Sequence, residues 1–367
     1  MANRIFGSVS WYIQGPGLLE EIGRHLKPLG RRIAVVADEV VWGIIGPTFD
    51  KARGDIVPQH VTFAGENTRE EVARLVDGAS DSDVVVGAGG GKALDAAKLV
   101  AYRLGKPMVS FPTIASTDAP ASRISILYTP EGAVDEIVVL PEPPRLVLVD
   151  TAVIARAPSR FLVAGMGDGL STWFEAKACY QAKGKNKHGG RPTLAALAIA
   201  ERCCRTILEN GLRALEAVKR GSVTDALEAV VEANILLSGV GFENGGVALA
   251  HAINNGLSAL PEFHSAMHGE KVAFGLLVQC LAEGAERDYK RLKQFYTKVG
   301  LPLHLGALGY EGQPEDVADR VASHVFTHEL DKIANEPVSV TLEGLKEAFL
   351  RADSLGRREE GLENDLV

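Results

Sequence analysis

The sequence predicts an α/β N-terminal domain on a parallel sheet, residues 1–157, followed by an all-α domain, residues 158–367. Three observations carry this. Strand-like β-branched runs alternate with helical patterns up to about residue 157, as expected of a parallel sheet covered by helices. After Pro158 the β-branched runs vanish and only helical spacings remain. Within the first half, Asp83 to Lys98 reads as a buried strand, a glycine turn and the start of a helix.

That stretch organises the chain. Val84 to Val86 are β-branched and carry no polar partner, as in a strand covered on both faces. Ala93, Leu94, Ala96, Ala97, Leu99 and Val100 recur with helical spacing. Four glycines fill five positions between them (Gly87, Gly89, Gly90, Gly91). The new helix points free N–H groups and its positive dipole end into that space, a seat for phosphate. Lys92 adds a charge at the rim. The pattern is neither the usual G-x-G-x-x-G, since Lys92 stands where the last glycine would, nor a P-loop. By itself it means an anion near a strand–helix junction, or only a turn.

The remaining N-terminal elements follow in order. Leu18 to Leu26 is helical, and Arg32 to Ala37 is a strand ending at Asp38. A carboxylate there either accepts bonds from an adenosine ribose or caps the next helix, and one residue can do both. Val61 to Phe63 is a strand and Arg69 to Ala79 a helix. Pro107 to Thr113 is a strand running into Ile114–Ser122, a loop of small hydroxyl residues with one acid, Asp118. Such a loop is either solvated or lines a ligand crevice. Ile124–Leu127, Ile137–Leu140 and Leu146–Val149 are further strands. Helices are expected over 159–180, 192–209, 223–240, 246–257, 267–283, 287–298, 314–327 and 341–352. Lys183 to Lys187 reads as a solvated basic loop, and Arg357 to Val367 as a loosely held charged tail.

Composition narrows the function. With 367 residues, 46% hydrophobic and 23% charged, the chain is globular and long enough for two domains. A net charge of −8 argues against a nucleic-acid partner. The four cysteines form no C-x-x-C pair and read as reduced thiols. Neither a signal peptide nor a membrane span is apparent, so a cytoplasmic protein is expected.

Candidate chemistry concentrates in the helical half. Asp168 lies among glycines in an apolar helix, where an acid is either bonded to backbone or set to meet a ligand. His251 sits on an otherwise apolar helix, where a core histidine is the alternative. His268 opens the next helix, with His264 as a rival four residues earlier. Two histidines and a carboxylate from three helices make the three-ligand set of a catalytic zinc site.

Across both halves, Gly89-Gly90-Gly91-Lys92-x-x-Asp95, Pro112-Thr113-x-Ala115-Ser116-Thr117-Asp118-Ala119-Pro120, Gly165-Met166-Gly167-Asp168, and His251 followed by His268-Gly269-Glu270-Lys271-Val272-Ala273-Phe274-Gly275 resemble the zinc-using glycerol dehydrogenase branch of the iron-containing alcohol dehydrogenases. The resemblance runs from Tyr12 to about residue 300. It implies a dehydroquinate synthase-like fold, with NAD bound by Asp38, Gly89, Gly90, Gly91, Lys92, Asp95, Thr113, Ser116, Ser122, Ile124 and Tyr128. It implies zinc on Asp168, His251 and His268, and glycerol bound by Asp118 and these metal ligands. The implied reaction is reversible oxidation of glycerol to dihydroxyacetone, by a homo-oligomer that is an octamer in relatives. Two departures stand out: Asn254 where relatives often carry His, and Ile124 where Leu is common. Rival expectations are a dehydrogenase of another small vicinal diol or 2-hydroxy compound, a dehydroquinate synthase-like lyase, and an NAD-binding protein without turnover. The motif loops are poor in the Arg and Lys that a phosphorylated substrate would need.

Overall fold

The computed structural model describes residues 3–130 and 132–364, with side chains to residue 358. In chain order the elements are β1 (Tyr12–Gly15), α1 (Ile22–Leu26), β2 (Arg32–Ala37), α2 (Glu39–Lys51), β3 (Val57–Thr62), α3 (Arg69–Ala79), β4 (Val84–Gly89), α4 (Gly91–Leu104), β5 (Met108–Pro112), β6 (Ile124–Tyr128), β7 (Val134–Val139) and β8 (Leu146–Asp150). The helices α5 (Thr151–Ile154), α6 (Ser159–Gln181), α7 (Leu194–Lys219) and α8 (Asp225–Glu232) follow. A π-helical turn (Ala233–Leu237) leads to α9 (Ser238–Gly245), α10 (Leu249–Ser258), α11 (His268–Ala282), α12 (Glu286–Val299), α13 (Pro314–His328), α14 (Leu330–Ile333) and α15 (Leu342–Asn364).

The chain divides into two compact units. One holds residues 8–162 and 213–239, the other residues 1–7, 163–212 and 240–367. The first carries a six-stranded sheet of order β1-β8-β5-β4-β2-β3, every pair parallel. Side chains alternate across it, as a period of two requires. Ile33, Val35, Val84 and Val86 enter one core cluster, Ala34, Val36 and Val85 the other. Covering on both faces explains the continuous Val run of β4. From β2 the chain steps outward to β3, then returns to β4 on β2's other side. The carboxyl ends of β2 and β4 therefore flank a topological switch point, where such sheets bind ligands.

The expected strand at 137–140 lies outside this sheet. As β7 it pairs antiparallel with β6 in a separate two-stranded ribbon. Residues 213–239, though helical, group with the sheet unit. The segment buries Leu227, Val230, Val231 and Ile235, and polar bonds join it to the sheet: Gln14 Nε2 donates to Glu228 O at 2.9 Å, and Asn234 Nδ2 to Ala115 O at 3.0 Å.

The helical unit is built as its patterns indicate, with two helices longer than expected. α7 continues to Lys219 because Ala214, Leu215, Ala217 and Val218 keep a buried stripe going. Gly211 inside it gives the Phe295 ring room, where a Cβ would stand 2.6 Å away. α15 runs to Asn364, through most of the expected loose tail; residues 365–367 of that tail lie outside the described ones. The basic loop 183–187 is not simply solvated. Asn186 is buried and donates to Ile5 O and Asn244 O, and burial next to Lys332 lowers the Lys187 ammonium pKa. Among the described residues no helix is long and apolar enough to cross a membrane.

One buried carboxylate ties the sheet's edge together. Asp150 accepts from Gly17 N at 3.0 Å, Leu19 N at 2.8 Å and Ala152 N at 2.9 Å. It thereby caps α5 and pins the turn after β1. Asp150→Ala orphans these donors and is expected to cost about 2–4 kcal/mol, read as a lower urea midpoint at unchanged slope.

Candidate active site

In the sheet unit the expected cofactor residues lie along the carboxyl ends of neighbouring strands. Asp38 follows β2 and the glycine turn follows β4. Thr113 follows β5, its N–H donating to Gly89 O at 3.2 Å. Gly89 has φ +137°, a region that L side chains rarely adopt. Gly90 caps α4 without a side-chain bond, which leaves the N-terminal N–H groups to face a ligand. Lys92 Nζ meets Glu66 at 2.6 Å and sits 4.8 Å from the centre of the Tyr128 ring. Burial pushes the Tyr128 phenol up, and the charges of Asp95 and Glu66 add to that.

Two of these residues also have local structural roles. Asp38 Oδ1 accepts from Val41 N at 2.8 Å, so it caps α2. Asp95 is buried against Lys98 Nζ at 2.9 Å and accepts from Ile126 N at 3.0 Å. Lys98 also donates to Ile124 O at 2.7 Å. Helix α4 thus carries β6, and with it Ile124 and Tyr128, on an interior ion pair. Ser122 Oγ accepts from Ile124 N at 3.1 Å. Ser116 and Asp118 are buried in the same loop.

Sequence reasoning missed what holds Asp118. Ser238 Oγ donates to Asp118 Oδ2 at 2.8 Å. Four residues before it, Asn234 holds Ala115 O from the π-helical turn, a device common at functional sites. The available signal was a pair of polar residues four apart in an apolar run.

In the helical unit Asp168, His251 and His268 come together. Their ligand atoms all lie within 4.8 Å of one another. Asp168 Oδ1 stands 3.7 Å from His251 Nε2 and 3.4 Å from His268 Nε2. Ligand atoms of one tetrahedral zinc at bond lengths near 2.0–2.1 Å stand about 3.4 Å apart, so the trio fits a metal of that size. His264 is exposed and outside the group.

Glycines make the meeting possible. A Cβ on Gly269 would fall 1.9 Å from Ala164 O, and one on Gly167 would fall 2.5 Å from Gly269 O. The backbones of α6 and α11 touch there, next to Asp168 and His268. The small residues beside Asp168 thus admit a neighbouring helix.

His251 is held from behind by Glu175, which sequence reasoning also missed. Glu175 lies seven residues after Asp168, two turns along the same face. Its Oε2 is 2.6 Å from His251 Nδ1. Its Oε1 accepts from Ala248 N at 2.8 Å and His251 N at 3.0 Å. Burial alone would raise this carboxyl, but the His251 ring and the backbone donors outweigh it and the pKa is lowered. The same helix end gives Leu249 N to Glu336 Oε1 at 2.9 Å and Ala250 N to Gln279 Oε1 at 2.9 Å. Side chains thus satisfy the orphan donors of α10's first turn. Asn254, one turn past His251, is buried and donates to Asn255 Oδ1 at 3.1 Å.

Gly269→Ala is expected to cost about 1–3 kcal/mol or more by forcing α6 and α11 apart, read as a lower melting temperature. A pH effect follows from Glu336, which burial and the nearby Glu283 charge push up to about 9. A carboxyl whose folded pKa exceeds its unfolded value contributes stability that is complete below about 4.3 and lost as pH rises towards 9. Glu336→Gln is expected to flatten the fall in melting temperature between pH 5 and 9, keeping the bond to Leu249.

Comparison with known proteins agrees with this architecture. Residues 10–151 match the iron-containing alcohol dehydrogenase family. The chain is 44% identical to a glycolaldehyde reductase of Halobacterium salinarum, over 96% of this chain and 98% of that one. It is 44% identical to a glycerol dehydrogenase of Thermotoga maritima, over 96% and 97% of the two chains. The crystal structure of a probable glycerol dehydrogenase from Sinorhizobium meliloti superposes with a TM-score of 0.91, at 39% identity over 97% of this chain and 99% of that one. With the matched sheet domain and full-length relatives at this identity, the chain belongs to the iron-containing alcohol dehydrogenase family.

Proposed function

We propose that this protein oxidises glycerol at its secondary hydroxyl to dihydroxyacetone, reversibly, with NAD as acceptor and zinc as the metal. The observation that carries the reading is the Asp168–His251–His268 cluster, whose spacing suits one tetrahedral cation. Glycerol dehydrogenases are prominent among the relatives at this level of identity. A homo-octamer belongs to the same reading.

The chain's own groups have these roles. Asp168 Oδ1, His251 Nε2 and His268 Nε2 would hold the metal, a three-ligand set of the kind that serves catalysis. When bound, the cation supplies Lewis acidity that lowers the pKa of a hydroxyl, and the nicotinamide supplies the two-electron acceptor. The N–H groups at the start of α4, with Gly89, Gly90, Gly91 and Lys92, take the pyrophosphate. Asp38 accepts from a ribose hydroxyl while it caps α2, and would repel a 2′-phosphate. Asp95, Thr113, Ser116, Ser122, Ile124 and Tyr128 shape the rest of the cofactor's seat. Asp118, steadied by Ser238, accepts a hydrogen bond from a substrate hydroxyl and orients it. The loop Ile114–Ser122 has no Lys or Arg, which favours an uncharged polyol over a phosphorylated one.

A second reading has its own support. The Halobacterium relative is named for glycolaldehyde, a 2-hydroxy aldehyde whose reduction yields a vicinal diol. The same site would accept such a pair.

The test is NADH formation by zinc-loaded protein with glycerol, 1,2-propanediol, ethylene glycol and glycerol 1-phosphate, with and without a chelator. Chelator-sensitive turnover of glycerol is expected. Preference for ethylene glycol, with glycolaldehyde reduced in reverse, would move the assignment to the second reading. Asp168→Ala is expected to lose zinc and turnover together, on the order of a thousandfold or more, while the fold survives. Full turnover with zinc retained would overturn the metal assignment.

A further inference from the structure

We propose that Glu175 is a positioning residue of the metal cluster: its carboxylate places the proton of His251 on Nδ1 and so keeps Nε2 available as a ligand atom. The zinc arm of the test below rests on the metal assignment above; the tautomer arm does not.

A neutral imidazole has one N–H and one lone-pair nitrogen, and its surroundings choose which is which. Around His251 the choice is made by one side chain. Glu175 is fully buried, and its Oε2 lies 2.6 Å from His251 Nδ1. Its other oxygen is occupied by Ala248 N and His251 N. Two backbone N–H groups bound to one oxygen favour the ionised carboxylate, and an ionised carboxylate only accepts, so the short contact at Oε2 is one that Nδ1 donates. Nδ1 must be the N–H, and Nε2 carries the lone pair towards Asp168 Oδ1 and His268. Nε2 stands 3.7 Å from Asp168 Oδ1, beyond hydrogen-bond reach, whereas Nδ1 lies 2.6 Å from Glu175 Oε2, so the hydrogen-bonded nitrogen of the pair is Nδ1.

The backbone bonds make this arrangement hard to evade. The backbone donors are Ala248, which caps α10, and His251 in its first turn, so Glu175 fixes the helix end and the ring together. The ring cannot rotate away without leaving the carboxylate, and the carboxylate cannot turn without orphaning two buried N–H groups.

Glu175→Gln keeps the size and shape of the side chain and reverses the logic. Its single oxygen is claimed by Ala248 N and His251 N, because an NH2 group turned towards them would leave two buried donors unpaired. The NH2 then faces Nδ1 and donates to it. The ring proton moves to Nε2, the atom that must be bare to bind a cation. Loss of such a partner typically weakens metal affinity 10–100-fold.

The experiment has two arms, both on the full chain. In the first, metal-free protein labelled with ¹⁵N-histidine is examined by NMR, with His251 assigned by its disappearance in His251→Asn. The wild type is expected to show the Nδ1–H tautomer and Glu175→Gln the Nε2–H tautomer. A support that acted only on folding would leave the tautomer unchanged. In the second, zinc affinity is measured by competition with a chromophoric chelator. Glu175→Gln is expected to bind zinc 10–100-fold more weakly, with an ordinary circular dichroism spectrum. An Nε2–H tautomer in the wild type overturns the proposal, and so does a Glu175→Gln variant with unchanged tautomer and zinc affinity. If Glu175→Gln does not fold, the wild-type tautomer decides alone. If the wild type takes up no zinc, the metal assignment fails, while the NMR arm still decides the role of Glu175.

Discussion

Helices α6 and α11 touch backbone to backbone at Gly167 and Gly269, and the helical unit's chemistry depends on that contact. An added Cβ on Gly269 would come within 1.9 Å of Ala164 O. Ordinary helix axes pass 8–10 Å apart because side chains hold them off. Removing the side chains at the crossing lets the residues beside it meet, and those residues are Asp168 and His268. The third member arrives on α10, whose own packing is close for the same reason: a Cβ on Gly275 of α11 would stand 2.5 Å from Ala250 O. Three short-range steric permissions therefore bring three ligand-type side chains to one point.

Polar groups complete what the glycines allow. The first turn of α10 is buried, and buried N–H groups must be paired. Glu175, Glu336 and Gln279 pair them, from three different parts of the chain. The Glu175 carboxylate also sits at the positive end of the helix dipole, where negative charge is favoured. The sheet unit solves an analogous problem with Asp150 at one end of β8, and with the Asp95–Lys98 pair beneath β6. In each unit a few interior charges fix where an element begins, and the residues of interest stand next to those points.

The fold class was legible because it rests on periodicity. Covered strands read as Val runs, helices read as apolar stripes, and the change near Pro158 marks where the sheet pattern stops. The β6–β7 ribbon was legible as strands but not as a separate sheet, since pairing partners are not written in a strand's own residues. The grouping of residues 213–239 with the sheet was hidden for a similar reason. Its polar ties run through Gln14, Glu228, Asn234 and Ser238, ordinary residues whose partners lie far away in sequence.

For the candidate site, the sequence by itself determined the chemical inventory: a glycine turn at a strand–helix junction, Asp118 in a hydroxyl-rich loop, and Asp168, His251 and His268 on apolar helices. These are visible because an ionisable or unusually small residue in an apolar context breaks a local pattern. Only the tertiary structure decided between His264 and His268, gave Asp38 and Asp95 their structural partners, and placed Glu175 behind His251 and Ser238 against Asp118. Hydrogen-bond partners 76 and 120 residues apart are chosen by the folded packing, and no local spacing encodes them.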